Sequence, residues 1–401
     1  MASNVTCGVH DFQCIASIAA IVTCILSWGG CSVIFASWIL MKRVRTPNRR
    51  MLLYLTIADF FVATGQLMGA SWTLNRHLHH DARNSNCSGA HPVCVAQSFV
   101  STLATMSSFL WSMLIAWHVY RSVLVPGTGT YWLDRHRWAQ HLLCWGVPLV
   151  IVVVALSCKR LGLDTVNVEG NNVPTIASGI WCWIRTCKDD LMIGNRTAPE
   201  MPAVMTFYMI TGQFWVYLAF LVIPTCYIRT KRRIKPSVNS SSYNSAALFE
   251  SAQEADRLMT WVPVTLLLLR MWSCVRFVGN IILIFNEKTD DYMLTVLFNQ
   301  VFLVMQAVGD SAQGFTNCVL YCLLTDSVRI ELKKKLGLRL GIGRDTQTEA
   351  SGPGPGEFSD TRRERQHRDE GSMHPQLNSP HESNSDTEPL LRSSINSRTP
   401  T

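Results

Sequence analysis

Four charged side chains lie inside stretches of the chain that are otherwise apolar. Two are acidic, Asp59 and Asp310, and two are basic, Arg270 and Arg276. A charge at the centre of a membrane helix costs about 2.5–3.5 kcal/mol on insertion scales, so each needs a partner or a water-filled cavity. Ion pairing and hydrogen bonding inside a membrane are the chemistry open to such residues. They are therefore the first candidates for a functional site.

Arg270 and Asp310 have similar depths in their stretches. Arg270 lies 15 residues from position 285, and Asp310 lies 17 residues from position 293. At about 1.5 Å per helical residue, these separations correspond to ~22 and ~25 Å from the same side. The spacing predicts a pair between Arg270 and Asp310, with Asp59 in the same polar network. The alternative is that these residues only hold the helices together and have no switching role.

Other polar residues share a helical face with these charges. Gln313 and Asn317 follow Asp310 at steps of three and four residues, which places all three on one stripe. Such a stripe faces the bundle interior rather than lipid. The predicted intramembrane polar switch consists of Asp59, Arg270, Arg276, Asp310, Gln313 and Asn317.

Seven apolar stretches carry these residues, and they dominate the chain. The 401 residues are 48% hydrophobic and only 16% charged, whereas soluble domains are near 25% charged. Each stretch has the ~20 apolar residues that span a bilayer as a helix. The sequence therefore predicts an all-α membrane protein, a seven-transmembrane-helix bundle over 15–324. The stretches are 15–41, 51–75, 94–120, 139–158, 203–228, 258–285 and 293–324.

Basic residues predict the orientation of this bundle. With the N-terminus outside, the outer segments hold 0 + 2 + 5 + 1 = 8 Lys and Arg, and the inner ones 5 + 3 + 6 + 5 = 19. Inner loops are the more basic ones in membrane proteins. Residues 1–14 are then an extracellular N-terminus, and the net charge of +8 indicates contact with anionic membrane lipids rather than nucleic acid.

The outer segments contain potential modification sites. Asn4, Asn86 and Asn195 each begin an N-x-[ST] sequon and predict a glycoprotein. Six cysteines lie where disulfide bonds can form, and their spacing alone leaves the pairing open. They are Cys7, Cys14, Cys87, Cys94, Cys182 and Cys187.

Two further segments follow the last stretch. Leucines and Val328 recur every four residues beside basic residues in 325–343, which predicts an amphipathic juxtamembrane helix. A frayed helix end with a basic flank is the alternative. Residues 344–401 are rich in Ser, Thr, Pro and Gly, which is typical of a disordered cytoplasmic tail. Phosphorylation of its Ser and Thr residues would add negative charge, which basic partner surfaces can bind.

Several segments together resemble a receptor family. The segments resemble those of the cyclic-AMP-receptor-like group of G-protein-coupled receptors, and they occur in the same order along the chain. The chain departs from the rhodopsin-like receptors, because His118-Val119-Tyr120-Arg121 replaces their D-R-Y motif. The segments that carry the resemblance are Leu52–Asp59, Thr105–Trp111, Trp145–Ile151, Trp181–Ile184, Leu269–Val278 and Gln313–Cys318.

The resemblance implies a ligand-operated receptor that activates a heterotrimeric G protein. It also implies a disulfide bond between Cys94 and Cys182, Gq-type phosphoinositide–calcium signalling, and a place in the plasma membrane or the ciliary membrane. In such a receptor, an extracellular ligand shifts helices six and seven. The expected G-protein contacts are Arg121, Lys231, Arg232 and Arg233. Ordinary positive-inside anchoring is the alternative for this basic run.

Other classes of protein fit less well. The sequence has no H-E-x-x-H motif, no phosphate-binding Gly-rich loop and no paired catalytic carboxylates on one face, so we predict that the chain is not an enzyme. Residues 293–324 contain no Lys for a retinal Schiff base, and the histidines at 77, 79, 80 and 91 follow no fixed metal-ligand spacing. We therefore predict no cofactor and no metal. A seven-helix transporter or channel is the rival interpretation.

Overall fold

A computed structural model gives the fold of the chain. It describes residues 12–41, 45, 47–78, 91–124, 135–162, 180–185, 192–193, 196–197, 201–237, 246–285, 292–324, 328–330 and 334. Residues 1–343 form one compact unit. The second unit, 344–401, lies outside the described residues, as does the tail predicted there.

The described part is built from seven long helical segments, which confirms the predicted seven-helix bundle. Two segments, α4 and α5, each contain a π-helical turn, and α7 is interrupted at Ala312. Their bounds are α1 Phe12–Leu40; α2 Pro47–Leu78; α3 Pro92–Leu124; α4 Arg137–His141, Leu142–Gly146 (π) and Val147–Ser157; α5 Met201–Tyr208, Met209–Gln213 (π) and Phe214–Ser237; α6 Ala246–Phe285; and α7 Tyr292–Ser311 and Gln313–Leu324.

Two short antiparallel strand pairs accompany the helices in the described part of the chain. Strands β1 (Leu161–Gly162) and β2 (Trp183–Ile184) pair antiparallel, with Leu161 opposite Ile184. Strands β3 (Met192–Ile193) and β4 (Arg196–Thr197) form the second antiparallel pair. Through the first strand pair, the chain after α4 contacts the segment that carries Cys182.

Within the described residues, six helices are long and apolar enough to cross a membrane, by length and composition. They begin near Phe12, Arg49, Pro92, Arg137, Pro202 and Thr260. The seventh stretch is divided into two shorter helices by the interruption at Ala312.

The burial pattern fits a bundle surrounded by lipid. Helix α3 is central: Phe109, Trp111 and Ile115 are almost completely buried. Helices α1 and α4 instead present large apolar side chains on their outer faces, such as Ile25 and Val150, which are 56% and 64% exposed. A bilayer supplies the apolar surroundings that these faces need.

Candidate functional site

A chain of polar contacts joins α6 to α7 in the middle of the bundle. The Arg270 Nη1 atom lies 2.9 Å from the Asp310 Oδ1 atom. Gln306 donates from Nε2 to the other Asp310 oxygen at 3.2 Å, and it accepts a hydrogen bond from Arg276 Nη1 at 2.9 Å. Arg276 also donates from Nε to Asn299 Oδ1 at 2.8 Å. The α7 stripe therefore meets both arginines of α6, and we call this group the α6–α7 network.

Close helix packing and an aromatic ring position Arg270. A side chain at Gly309 would collide with the backbone carbonyl of Leu269 and would lie 3.2 Å from Trp272 Cδ1. The absence of a side chain at Gly309 thus lets α6 and α7 approach beside Asp310. The guanidinium carbon of Arg270 is also 5.2 Å from the centre of the Phe109 ring, a distance typical of a cation–π contact.

Asp59 belongs to a second polar group, which links α2, α3 and α7. Its carboxylate accepts hydrogen bonds from Ser108 Oγ and Asn317 Nδ2, each at 2.7 Å. Gln313 Nε2 donates to the same Ser108 oxygen at 3.0 Å. Asp59 is only 2% exposed, so these donors replace the water that its carboxylate would otherwise bind. Gln313 and Asn317 thus contact the Asp59 group rather than Arg270.

A hydroxyl group from α1 is inserted into α7 at its interruption. A regular helix would carry a hydrogen bond from the Phe315 N–H group to the Ser311 carbonyl. Here the Phe315 N–H donates to Ser27 Oγ at 3.2 Å, and Ser27 Oγ donates to the Ser311 carbonyl. Gly30 allows this approach, because a Cβ atom there would lie 2.8 Å from the Gly314 oxygen. The interruption at Ala312 lies two residues after Asp310. A side chain inserted into the hydrogen-bond ladder is a known cause of helix bending.

Replacing Ser27 by Ala should reduce stability modestly. The change leaves the Ser311 carbonyl and the Phe315 N–H group without their partner, which costs about 1–3 kcal/mol unless α7 closes into a regular helix. Thermal unfolding of the purified protein in detergent measures the loss. Ser32→Ala is the matched control, since Ser32 is exposed on the same helix and its hydroxyl donates to the Trp28 carbonyl of that helix at 2.8 Å. Equal unfolding temperatures for both variants would contradict the bridging role of Ser27.

The Arg270–Asp310 pair also forms part of a cavity wall. The cavity has a volume of about 60 Å³, and its wall includes Phe109 and Trp181. The π-helical turn of α5 contributes three consecutive residues, Thr211–Gln213, to the same wall. Turns of this kind are frequent at functional sites, because they change which side chains a helix presents.

The segment 180–185 forms another side of the cavity and is fixed to α3. Cys182 is joined to Cys94 by a disulfide bond, and its N–H group donates to Gln97 Oε1 at 3.0 Å. Ser98 Oγ donates to the Trp183 carbonyl. The Trp181 and Trp183 side chains pack directly against Gly69 and Gly212, where a Cβ atom would have no room. We call the end of the bundle that carries this bond the disulfide end.

The predicted G-protein contacts lie at helix ends. Arg121 is half-buried near the end of α3, and Lys231 and Arg232 are exposed near the end of α5. Arg233 lies in the same helix, but its side chain is outside the described residues, as are the sequon residues Asn4, Asn86 and Asn195. Of the predicted 325–343 helix, only 328–330 and 334 are described, all as helix. Cys14 is disulfide-bonded, whereas Cys7, Cys87 and Cys187 lie outside the described residues.

Sequence reasoning missed several residues of the site. Ser27, Gln66, Thr102 and Gln213 are uncharged, and each is compatible with an ordinary helix interior. One signal was available for Ser27, because Gly30 follows it by three residues. Small residues are enriched where membrane helices pack closely against one another.

The fold and site geometry agree with comparisons to known proteins. Residues 14–316 match the 7 transmembrane receptor (Secretin family), and the chain belongs to that family. It is a multi-pass membrane protein and a receptor of the G-protein-coupled type.

Individual relatives refine this assignment. The chain is 29% identical to human "G-protein coupled receptor 157" over 78% of this chain and 81% of the relative. It is 28% identical to Dictyostelium discoideum "Cyclic AMP receptor 1" over 25% of this chain and 21% of that protein. Both matches confirm the family resemblance seen in the sequence. The structure of squid rhodopsin shares the fold, with a TM-score of 0.54 at 12% identity, over 88% of this chain and 98% of that one.

Proposed function

We propose that ligand binding in the cavity shifts α6 and α7 and thereby activates a heterotrimeric G protein. One observation carries the proposal. The Arg270–Asp310 pair lines the cavity and also links α6 to α7, next to the interruption of α7. A ligand that binds better to one arrangement of this pair than to another would shift the population of helix arrangements.

The opposite end of the bundle would receive the G protein. In this proposal the disulfide end is extracellular, and the ends of α3 and α5 that carry Arg121, Lys231 and Arg232 face the cytoplasm. The exposure of Lys231 and Arg232 supports the assignment, because a partner can reach both side chains. We also propose Gq-type coupling with a phosphoinositide–calcium output, which the family resemblance of the sequence implies. The remaining basic residues would contact anionic lipids.

Location and regulation complete the proposal. The receptor would act in the plasma membrane, including the ciliary membrane, with glycans on Asn4, Asn86 and Asn195. The 344–401 tail would be cytoplasmic and would bind arrestin after phosphorylation by receptor kinases, because phosphate groups add the negative charge that basic partner surfaces bind.

The double variant Lys231→Glu/Arg232→Glu tests the cytoplasmic surface. We expect it to lower the rate of nucleotide exchange on Gq at least several-fold, because reversed charges repel a partner that basic side chains attract. Exchange is measured in membranes with equal surface amounts of receptor. Lys159→Glu is the control. Lys159 is exposed at the end of α4, and in this topology it lies on the opposite side of the membrane from Lys231. Unchanged exchange in the double variant, or an equal loss in the control, would refute the assignment.

A further inference from the structure

The cavity wall contains hydrogen-bond donors that have no partner among the described residues. Arg270 directs Nη1 to Asp310, but its Nε and Nη2 atoms have no hydrogen-bond partner among the described residues, although the side chain is 94% buried. These two nitrogens share one edge of the planar guanidinium group. That edge matches the two oxygens of a carboxylate.

The same wall contains unused acceptors. Three oxygen atoms are buried and have no hydrogen-bond partner within the part of the chain that the structure describes: Oε1 of Gln66, Oε1 of Gln213 and Oγ1 of Thr102. Leaving such a group unpaired costs about 1–3 kcal/mol. A ligand that supplies N–H or O–H groups would recover part of that cost.

Asp310 is the acidic residue of the wall, and its negative charge is already balanced by Arg270. Asp310 Oδ1 accepts no hydrogen bond among the described residues, but it forms the ion pair with Arg270 Nη1 at 2.9 Å, and Oδ2 accepts a hydrogen bond from Gln306. An incoming cation would also lie next to the unpaired edge of Arg270, which is unfavourable. The wall therefore favours an anionic group over a cationic one.

We propose that the cavity binds a small organic carboxylate that also carries a hydrogen-bond donor, such as a hydroxy acid or an amino acid. The carboxylate contacts Nε and Nη2 of Arg270, and the donor group contacts Oε1 of Gln66 or Gln213. The cavity volume of about 60 Å³ means that the enclosed part of the ligand has only a few non-hydrogen atoms. Because the carboxylate shares the guanidinium with Asp310, its binding would also loosen the α6–α7 pair. The inference rests on the proposed function in that this ligand would be the activating one.

Thermal unfolding of the purified full chain tests the ligand class without a G protein. The probes are glycolate, lactate and glycine at millimolar concentration, each compared with its neutral or cationic amide: glycolamide, lactamide and glycinamide. We expect at least one carboxylate to raise the unfolding temperature in a saturable way while its amide does not. Failure of all the carboxylates, or equal stabilisation by the amides, would overturn the proposal.

Two variants locate the binding in the cavity. In Arg270→Gln/Asp310→Asn both charges are removed together, so neither is left unpaired, and carboxylate affinity should fall at least tenfold. Gln213→Leu keeps the pair and should weaken the hydroxy and amino acids several-fold, whereas Lys159→Gln, at an exposed site, should leave the response unchanged. Full carboxylate binding by both cavity variants would overturn the assignment. If carboxylates stabilise the protein but nucleotide exchange is absent, the ligand site is retained and the proposed function fails.

Discussion

Neutralising either Arg270 or Asp310 alone should remove most of the protein from the cell surface. Removing one member of a buried ion pair leaves the other charge without its partner and costs about 3–5 kcal/mol. That is a large fraction of the net stability of a typical protein. We therefore expect Arg270→Gln and Asp310→Asn each to be retained inside the cell, as measured by surface labelling against total protein.

The charge-reversed double variant distinguishes pairing from a local defect. Arg270→Asp/Asp310→Arg restores opposite charges across the α6–α7 contact, which in the native chain spans 2.9 Å. We expect surface expression well above that of either single reversal. Lys159→Gln serves as the control for loss of a charge at an exposed position. If the double variant is no better expressed than the single ones, the two residues do not stabilise the bundle as a pair.

Adding a side chain at Gly309 should separate α6 from α7 beside this pair. A Cβ atom there meets the Leu269 carbonyl, which is backbone and cannot rotate away. Overpacking of this kind typically costs about 1–3 kcal/mol, and Gly309→Val also moves Asp310 away from Arg270. We expect a lower unfolding temperature in detergent and a loss of ligand-dependent activity.

Gly29 provides a matched control for that variant. It lies on an exposed face of α1, and a Cβ atom there meets nothing within 4 Å. Gly29→Val should leave stability and activity near those of the unmodified chain. Equal behaviour of the two valine variants would show that the close approach at Gly309 is unimportant.

The seven spans and the central ion pair were both predictable from the sequence. Long apolar stretches have one low-energy structure in a membrane, since only helices satisfy their backbone groups there. Charges are rare in such stretches, so Arg270 and Asp310 are conspicuous, and residue counts give their depths. Depth alone was enough to select partners on neighbouring helices.

The remaining parts of the site depend on contacts that the sequence does not reveal. No proline marks the interruption at Ala312; it coincides with the Ser27 hydroxyl group supplied by another helix. The cavity wall includes Gln213 because α5 contains a π-helical turn, which has no clear local sequence signal. Asp59 was predicted at mid-membrane, but its partners Ser108 and Asn317 depend on which faces of α3 and α7 meet it.

Nucleotide exchange on a panel of purified heterotrimeric G proteins tests the central claim most directly. The panel is added to membranes that contain the unmodified chain, Arg270→Gln/Asp310→Asn, or no receptor. We expect the unmodified chain to accelerate exchange, most strongly on Gq, and the double variant to raise ligand-independent exchange further, because it removes the ionic contact between α6 and α7. Ion currents or solute transport from the same membranes, with no exchange on any G protein, would contradict the account and support a transporter or channel.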